Sequence, residues 1–370
     1  MGSIVVISPS RRENALGRAL AVALLADLTE HEVRVFAPDD GRPEWIGAGQ
    51  FGLPTTAVRD GGDLVARARG LPPPLIAWVV KPLPSSVALG RALERELGAR
   101  LVLDVDDDDA ALSEDFAHSS PANRLRMARR PNLRPRAIRA ALDQARSAGV
   151  PMTYSSDVLA TALRLPEAPA GLRVPHPRLA APAPAVRPGR IEEGRVHLGF
   201  LGTPRLHKGL DTLRDLIAGE RRFVLHLFAG DGSDGFAADD PQVVRHPGTE
   251  PLAELYAALD LVLLPQGRTR GARLQLPAKL LDAMRGGVPT LATPTPPIEE
   301  IGGSTVVPVA DWSDRAAVAG AIERTASSEL GRAARARFEE SLSAQAQLPA
   351  FSAFIDRVGG GRGSRARAGS

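Results

Sequence analysis

The sequence contains no cysteine. That absence excludes a disulfide scaffold, thiolate-bound zinc or iron–sulfur clusters and a cysteine nucleophile, and it fits a reducing compartment, the cytoplasm. Lysine is nearly absent too: of 46 basic residues only Lys81, Lys208 and Lys279 are lysines, the other 43 being arginine. Long apolar runs are missing. The apolar stretch 19–26 is bracketed by Arg18 and Asp27, far short of the roughly 20 apolar residues a membrane span needs. The chain runs straight into an apolar, strand-like segment at 4–7 with no basic leader, so neither a signal peptide nor a spanning helix is expected. No repeat of solenoid period occurs, and no Ser/His/Asp order suggests a hydrolase. A net charge of +3 is too small to argue for a nucleic-acid partner.

What is present is the alternation of a doubly wound α/β protein. Three hundred and seventy residues exceed what one core usually serves, so two domains are expected. Apolar runs at 4–7, 33–36, 75–80, 101–105 and 150–154 read as buried parallel strands, with helical patterns at 14–28, 85–97 and 123–146 between them. Seven prolines between 166 and 188 break the pattern, which resumes with strands at 196–201, 223–228, 243–245, 261–264, 288–292 and 305–308. The expected division is a first domain over 1–178, a linker over 179–195, a second domain over 196–345, a helix over 346–358 packing back on the first domain, opened by Pro349, and a disordered tail over 359–370. Ligands of such sheets bind beyond the carboxyl ends of the strands.

Two segments sit there. In Gly199-Phe200-Leu201-Gly202-Thr203-Pro204-Arg205-Leu206-His207-Lys208-Gly209 a strand ends in a glycine turn, cations follow, and a helix starts. Backbone N–H groups beside Arg205 and Lys208 suit a diphosphate; the plain alternative is a βα turn with solvated cations. In Gln275-Leu276-Pro277-Ala278-Lys279-Leu280-Leu281-Asp282-Ala283-Met284-Arg285-Gly286-Gly287-Val288-Pro289, Pro277 suits a helix start, Lys279 falls in the first turn, and Asp282 lies on roughly the same face. A phosphate and a ribose diol could be held together there, or the segment is an ordinary amphipathic helix.

Together these segments resemble the nucleotide-sugar-binding half of retaining, family 4 glycosyltransferases of the GT-B fold. Gly230-Asp231-Gly232 is similar to the family's Gly-Asp-Gly turn, and residues 255–265 to its helix–strand unit before the sugar-binding loop. The likeness runs from about 197 to 307. It implies two facing Rossmann-like domains with an interdomain cleft, and transfer of a sugar from a nucleoside-diphosphate sugar to an acceptor hydroxyl with retention. It also implies no metal and no cofactor, since cations neutralise the leaving diphosphate. Natural-product and envelope glycan assembly both fit. On this resemblance the catalytic residues are Asp106, Arg205 and Lys208, and the donor-binding set is Gly17, Thr203, Gly209, Gly230, Lys279, Leu280 and Asp282. Lys81, Asp104 and His176 are further residues expected at the cleft. Two departures stand out: Thr203 replaces the family's first-motif arginine, and Leu274 replaces the first acid of Glu-x7-Glu. A nucleotide-sugar epimerase, or a homologue that binds sugar nucleotide without turnover, remains an alternative.

The first half carries two further features. The run Asp104-Val105-Asp106-Asp107-Asp108-Asp109 ends a strand, where one carboxylate could orient an acceptor or the acids could cap the next helix. Eight arginines between 124 and 146 accompany a single acid, Asp143; they read either as a contact for an anionic lipid surface or phosphorylated acceptor, or as partners of the neighbouring acidic run.

Overall fold

The computed structural model describes residues 2–180, 194–202, 209–229, 236–237, 239–326 and 329–360, with Glu13 and Asn14 as backbone only. The chain divides into two compact units, Met1–Pro177 together with the stretch from Ala344 onward, and Arg178–Ser343.

Unit 1 is built on β1 (Ser3–Ile7), β2 (Glu32–Pro38), β3 (Thr55–Val58), β4 (Leu75–Val80), β5 (Arg100–Val105), β6 (Met152–Tyr154) and β7 (Gly171–Arg173). They form one sheet in the order β3-β2-β1-β4-β5-β6-β7. Every pairing is parallel, Ile4 facing both Val33 and Ile76. Both β1 and β4 are buried at every position, which is why each is a continuous apolar run. The helix Ala344–Gly360 packs on β4: Phe351 stacks on Trp78 at 5.1 Å between centroids, and Phe354 lies at 5.9 Å.

Unit 2 has β8 (Val196–Phe200), β9 (Phe223–Phe228), β10 (Val243–His246), β11 (Leu261–Leu264), β12 (Thr290–Ala292) and β13 (Val306–Pro308), all parallel, in the order β10-β9-β8-β11-β12-β13. One core cluster joins Tyr256, Leu280, Leu281, Met284 and Phe338; another joins Phe200, Leu213, Ile217 and Phe223. Strand order reverses between β1 and β4 in unit 1 and between β8 and β11 in unit 2, the positions where such sheets open a crevice at their carboxyl ends.

Local structure departs from expectation where proline or partial burial intervenes. The helix expected over 123–146 is two helices, Pro121–Ala128 and Pro135–Ser147, because Pro131 and Pro135 cannot continue the first. The last helix begins at Ala344 and holds Pro349 inside it, since burial of Ala344, Gln347 and Phe351 favours the extra turn. Strands β3 and β7 have no counterpart among the expected strands; β3 is four residues, three of them half-buried, and β7 lies inside the proline-rich stretch.

Candidate functional site

In unit 2 the two motif segments meet. Phe200 ends β8, and Lys279 rises from the first turn of the helix Ala278–Gly286 to lay its ammonium 4.2 Å from the Phe200 ring centroid, a favourable cation–π geometry. Gly202 makes room for it: a Cβ there would stand 2.6 Å from Lys279 Cε and 2.7 Å from Nζ. Gly209 closes the same corner. It has φ +68°, and a Cβ would fall 2.1 Å from the carbonyl oxygen of Pro265, just past β11. So Gly209 brings the start of the helix Leu210–Ala218 hard against the end of β11. Among the described residues no side chain caps the first N–H groups of that helix or of Ala278–Gly286, although Leu280 N donates to the Pro277 carbonyl at 3.0 Å; helix starts at this edge suit an anion. Leu280 is fully buried among core residues, so only its backbone can face a ligand. Thr203, Arg205, His207, Lys208 and Gly230 lie outside the described residues.

Asp282 is gripped by a residue the sequence did not single out. Arg178 Nε donates to Oδ1 at 2.7 Å and Nη2 to Oδ2 at 3.4 Å. The Tyr256 hydroxyl is buried with no hydrogen-bond partner among the described residues, and burial, reinforced by the Asp282 charge, lifts its pKa well above the usual value. Leu274 ends the short helix Arg270–Arg273 and is half-buried. The loop is pinned by buried Gln266, which donates to the carbonyls of Ala272 and Gln275.

Unit 2 also holds a histidine chain on adjacent strands. His197 Nδ1 lies 2.8 Å from His226 Nε2, His226 Nδ1 lies 3.0 Å from His246 Nε2, and His246 Nδ1 lies 3.3 Å from Glu250 Oε1. Burial, with its two histidine neighbours, pushes the His226 pKa down to about 3.

In unit 1 the aspartate run is divided among partners. Asp104 is fully buried in β5; Arg18 Nε and Nη2 donate to its two oxygens at 2.8 and 2.7 Å, and Thr153 Oγ1 donates at 2.7 Å. Lys81 sits past β4 with φ +66°, a conformation rare for a side-chain-bearing residue. Its Nζ donates to Asp106 Oδ1 at 2.7 Å, Asp109 Oδ1 at 3.0 Å and Asp107 Oδ2 at 3.1 Å. Burial alone would lower the Lys81 pKa, but the three carboxylates outweigh it and hold it well above the ordinary value. Burial pushes Asp106 up to about 7 and Asp109 up to about 6 against the pull of Lys81. Asp108 caps the helix Asp109–His118 by accepting from Ala111 N at 2.9 Å.

These placements change several expectations. Lys81 does not offer its charge outward; its ammonium is buried and taken up by three acids. Asp104 is an interior ion-pair partner. Gly17 lies inside the helix Glu13–Asp27, where a Cβ would stand 3.4 Å from the Trp45 ring, an ordinary contact that does not require a glycine. His176 is buried in the run following β7.

No protein-family model and no curated protein matches the chain. Solved structures do. Alr3699/HepE of Anabaena in complex with UDP-glucose superposes with a TM-score of 0.69 at 13% identity, covering 96% of this chain and 100% of that one. A glycosyltransferase from Rickettsia africae ESF-5 gives 0.60 at 9% identity over 96% and 98%. The spinosyn rhamnosyltransferase SpnG complexed with thymidine diphosphate gives 0.51 at 12% identity over 95% and 100%. The fold is GT-B. At such identities the likeness is one of fold, and within this GT-B chain the corner formed by Phe200, Gly202, Gly209, Pro265 and Lys279 lies at the strand-order switch of unit 2.

Proposed function

We propose that the chain is a glycosyltransferase that moves a sugar from a nucleoside-diphosphate sugar to an acceptor hydroxyl, with retention, in the manner of family 4, and without a metal or cofactor. The observation that carries this reading is Lys279: a buried ammonium in the first turn of an uncapped helix, held over Phe200 and beside Gly202 at the switch point. A cation and helix N-termini placed at a sheet's carboxyl edge suit a diphosphate. Two of the similar GT-B structures hold UDP-glucose and thymidine diphosphate, which supports the same ligand class here.

In this reading Lys279, with Arg205 and Lys208, neutralises the diphosphate as its bond to the anomeric carbon breaks. The acceptor oxygen bonds on the same face, and its proton passes to the leaving diphosphate oxygen. Asp282, oriented by Arg178, holds the ribose diol. Asp106 is the carboxyl that answers charge developing at the sugar, with Lys81 setting its ionisation. Natural-product and envelope glycan acceptors are both compatible.

The test is nucleoside diphosphate release on mixing donor and acceptor. Lys279→Ala should lower turnover by roughly 10²–10³-fold while the protein stays folded, the usual effect of deleting one charge-stabilising group. Near-native rates would overturn the diphosphate assignment. EDTA should leave turnover unchanged; a loss restored by Mn²⁺ would overturn metal independence.

A further inference from the structure

The helical excursion between β5 and β6 carries a surface that donor binding does not use. Between Asp115 and Asp143 the sequence has seven arginines and no acid. The expectation that these arginines pair with the neighbouring acidic run is not met. Arg18 takes Asp104, Lys81 takes Asp106, Asp107 and Asp109, and Asp108 caps a helix. Arg139 pairs with Glu114, and Arg134 donates to the carbonyl of Ala128. Among the described residues, the guanidinium groups of Arg124, Arg126, Arg129, Arg130 and Arg136 meet no carboxylate and no hydrogen-bond acceptor.

The same excursion also exposes large apolar side chains. The helix Pro121–Ala128 buries only Met127. Leu125, two residues and about 200° of helical rotation away, faces outward between Arg124 and Arg126 and is 56% exposed. Phe116, at the end of the preceding helix, is 37% exposed. Uncompensated cations on packed neighbouring helices that also expose large apolar side chains are poorly matched to water but well matched to an anionic bilayer, where headgroups take the charge and the acyl boundary takes the leucine and phenylalanine. A nucleic acid or acidic protein would use the arginines and leave Leu125 without a role. No described helix is long and apolar enough to cross a membrane, so such an association is at the surface.

We propose that this helical excursion of unit 1 docks on an anionic lipid surface, through Arg124, Arg126, Arg129, Arg130 and Arg136 together with Leu125 and Phe116. The test is co-sedimentation of the full chain with vesicles of phosphatidylglycerol and phosphatidylcholine in equal parts, against vesicles of phosphatidylcholine alone. Binding is expected only to the former, and it weakens as salt shortens the screening length. Replacing Arg124, Arg126 and Arg129 together by Gln should lower partitioning roughly a hundredfold, at about fivefold per cation. Leu125→Ser should weaken vesicle binding while leaving binding to heparin unchanged, and none of these exposed changes should move the melting temperature. The proposal is overturned by absence of binding to the anionic vesicles, or by equal partitioning of the native and triple-variant proteins. Tight heparin binding without vesicle binding would also overturn it and assign the patch to an acidic macromolecule.

Discussion

Lys81 and Lys279 occupy comparable places, one beyond β4 in unit 1 and the other beside the end of β8 in unit 2, and both are almost fully buried at 6% and 7% exposure. Their surroundings differ. Lys81 is folded into three carboxylates that answer its charge internally. Lys279 rests on an aromatic ring beside a glycine and next to uncapped helix N–H groups. A buried cation whose neighbours are acids stabilises the fold or tunes those acids; one laid over an aromatic ring in the first turn of a helix at the strand-order switch stands where such sheets take an anion. Residue type and a place at a strand end do not by themselves decide the role. The surroundings do.

The contrast can be broken most severely in unit 1. Asp104→Ala leaves the Arg18 guanidinium buried and uncompensated, and should destabilise the protein by about 3–5 kcal/mol in urea unfolding. Loss of under about 1 kcal/mol would show that Arg18 finds water or another partner. In unit 2, Gly209→Ala forces a Cβ against the Pro265 carbonyl in a left-handed conformation. It should remove roughly 1–3 kcal/mol and reduce donor binding, because the helix start must shift. Native stability with native binding would remove Gly209 from the site.

A subtler test uses pH, to which the two units respond with opposite sign. Asp106 and Asp109 rise from 3.8 to about 7 and about 6 in the folded state. The folded protein therefore holds protons that the unfolded chain has released. This contribution is complete below about pH 4 and is lost as pH rises through the folded values of about 6 and 7. His226 falls from 6.5 to about 3. Its contribution is present above pH 6.5 and is lost as pH falls toward 3. A tenfold change in proton affinity between the unfolded and folded chain is worth about 1.4 kcal/mol. Melting curves of Asp106→Asn should lose part of the decline between about pH 4 and 7, Asp109 keeping the rest, and those of His226→Gln should lose part of the decline below about 6.5. Unchanged pH profiles in both variants would contradict the burial argument. The smallest effect is expected from Arg178→Lys, which keeps the charge but loses the two-pronged hold on Asp282. It should raise the donor KM several-fold with kcat little changed.

Much of this arrangement was legible in the sequence. The central strands β1 (from Ile4), β4 and β11 announce themselves as unbroken apolar runs because both faces are covered, while β5, β8 and β9 are apolar runs interrupted by Asp104, His197 and His226. Gly202, Gly209 and Lys279 follow from their places after a strand or before a helix. What escaped depends on distant partners. Nothing local marks Arg178, inside a proline-rich stretch and 104 residues from Asp282, as that residue's partner. Lys81 and the aspartates were both placed at strand ends, but their union required the β4–β5 pairing. Gln266, a buried amide two residues past β11, stands in Pro265-Gln266-Gly267-Arg268, where nothing local marks it as the residue that pins the following loop.

The central claim is that Lys279, and not Lys81, meets the diphosphate. Isothermal titration of UDP, GDP, ADP and dTDP into the native chain, Lys279→Ala and Lys81→Met tests it most directly. At least one nucleotide should bind the native protein, Lys81→Met should retain that binding, and Lys279→Ala should weaken it by a factor of ten or more, about 1.4 kcal/mol. Undiminished binding by a folded Lys279→Ala would contradict that claim.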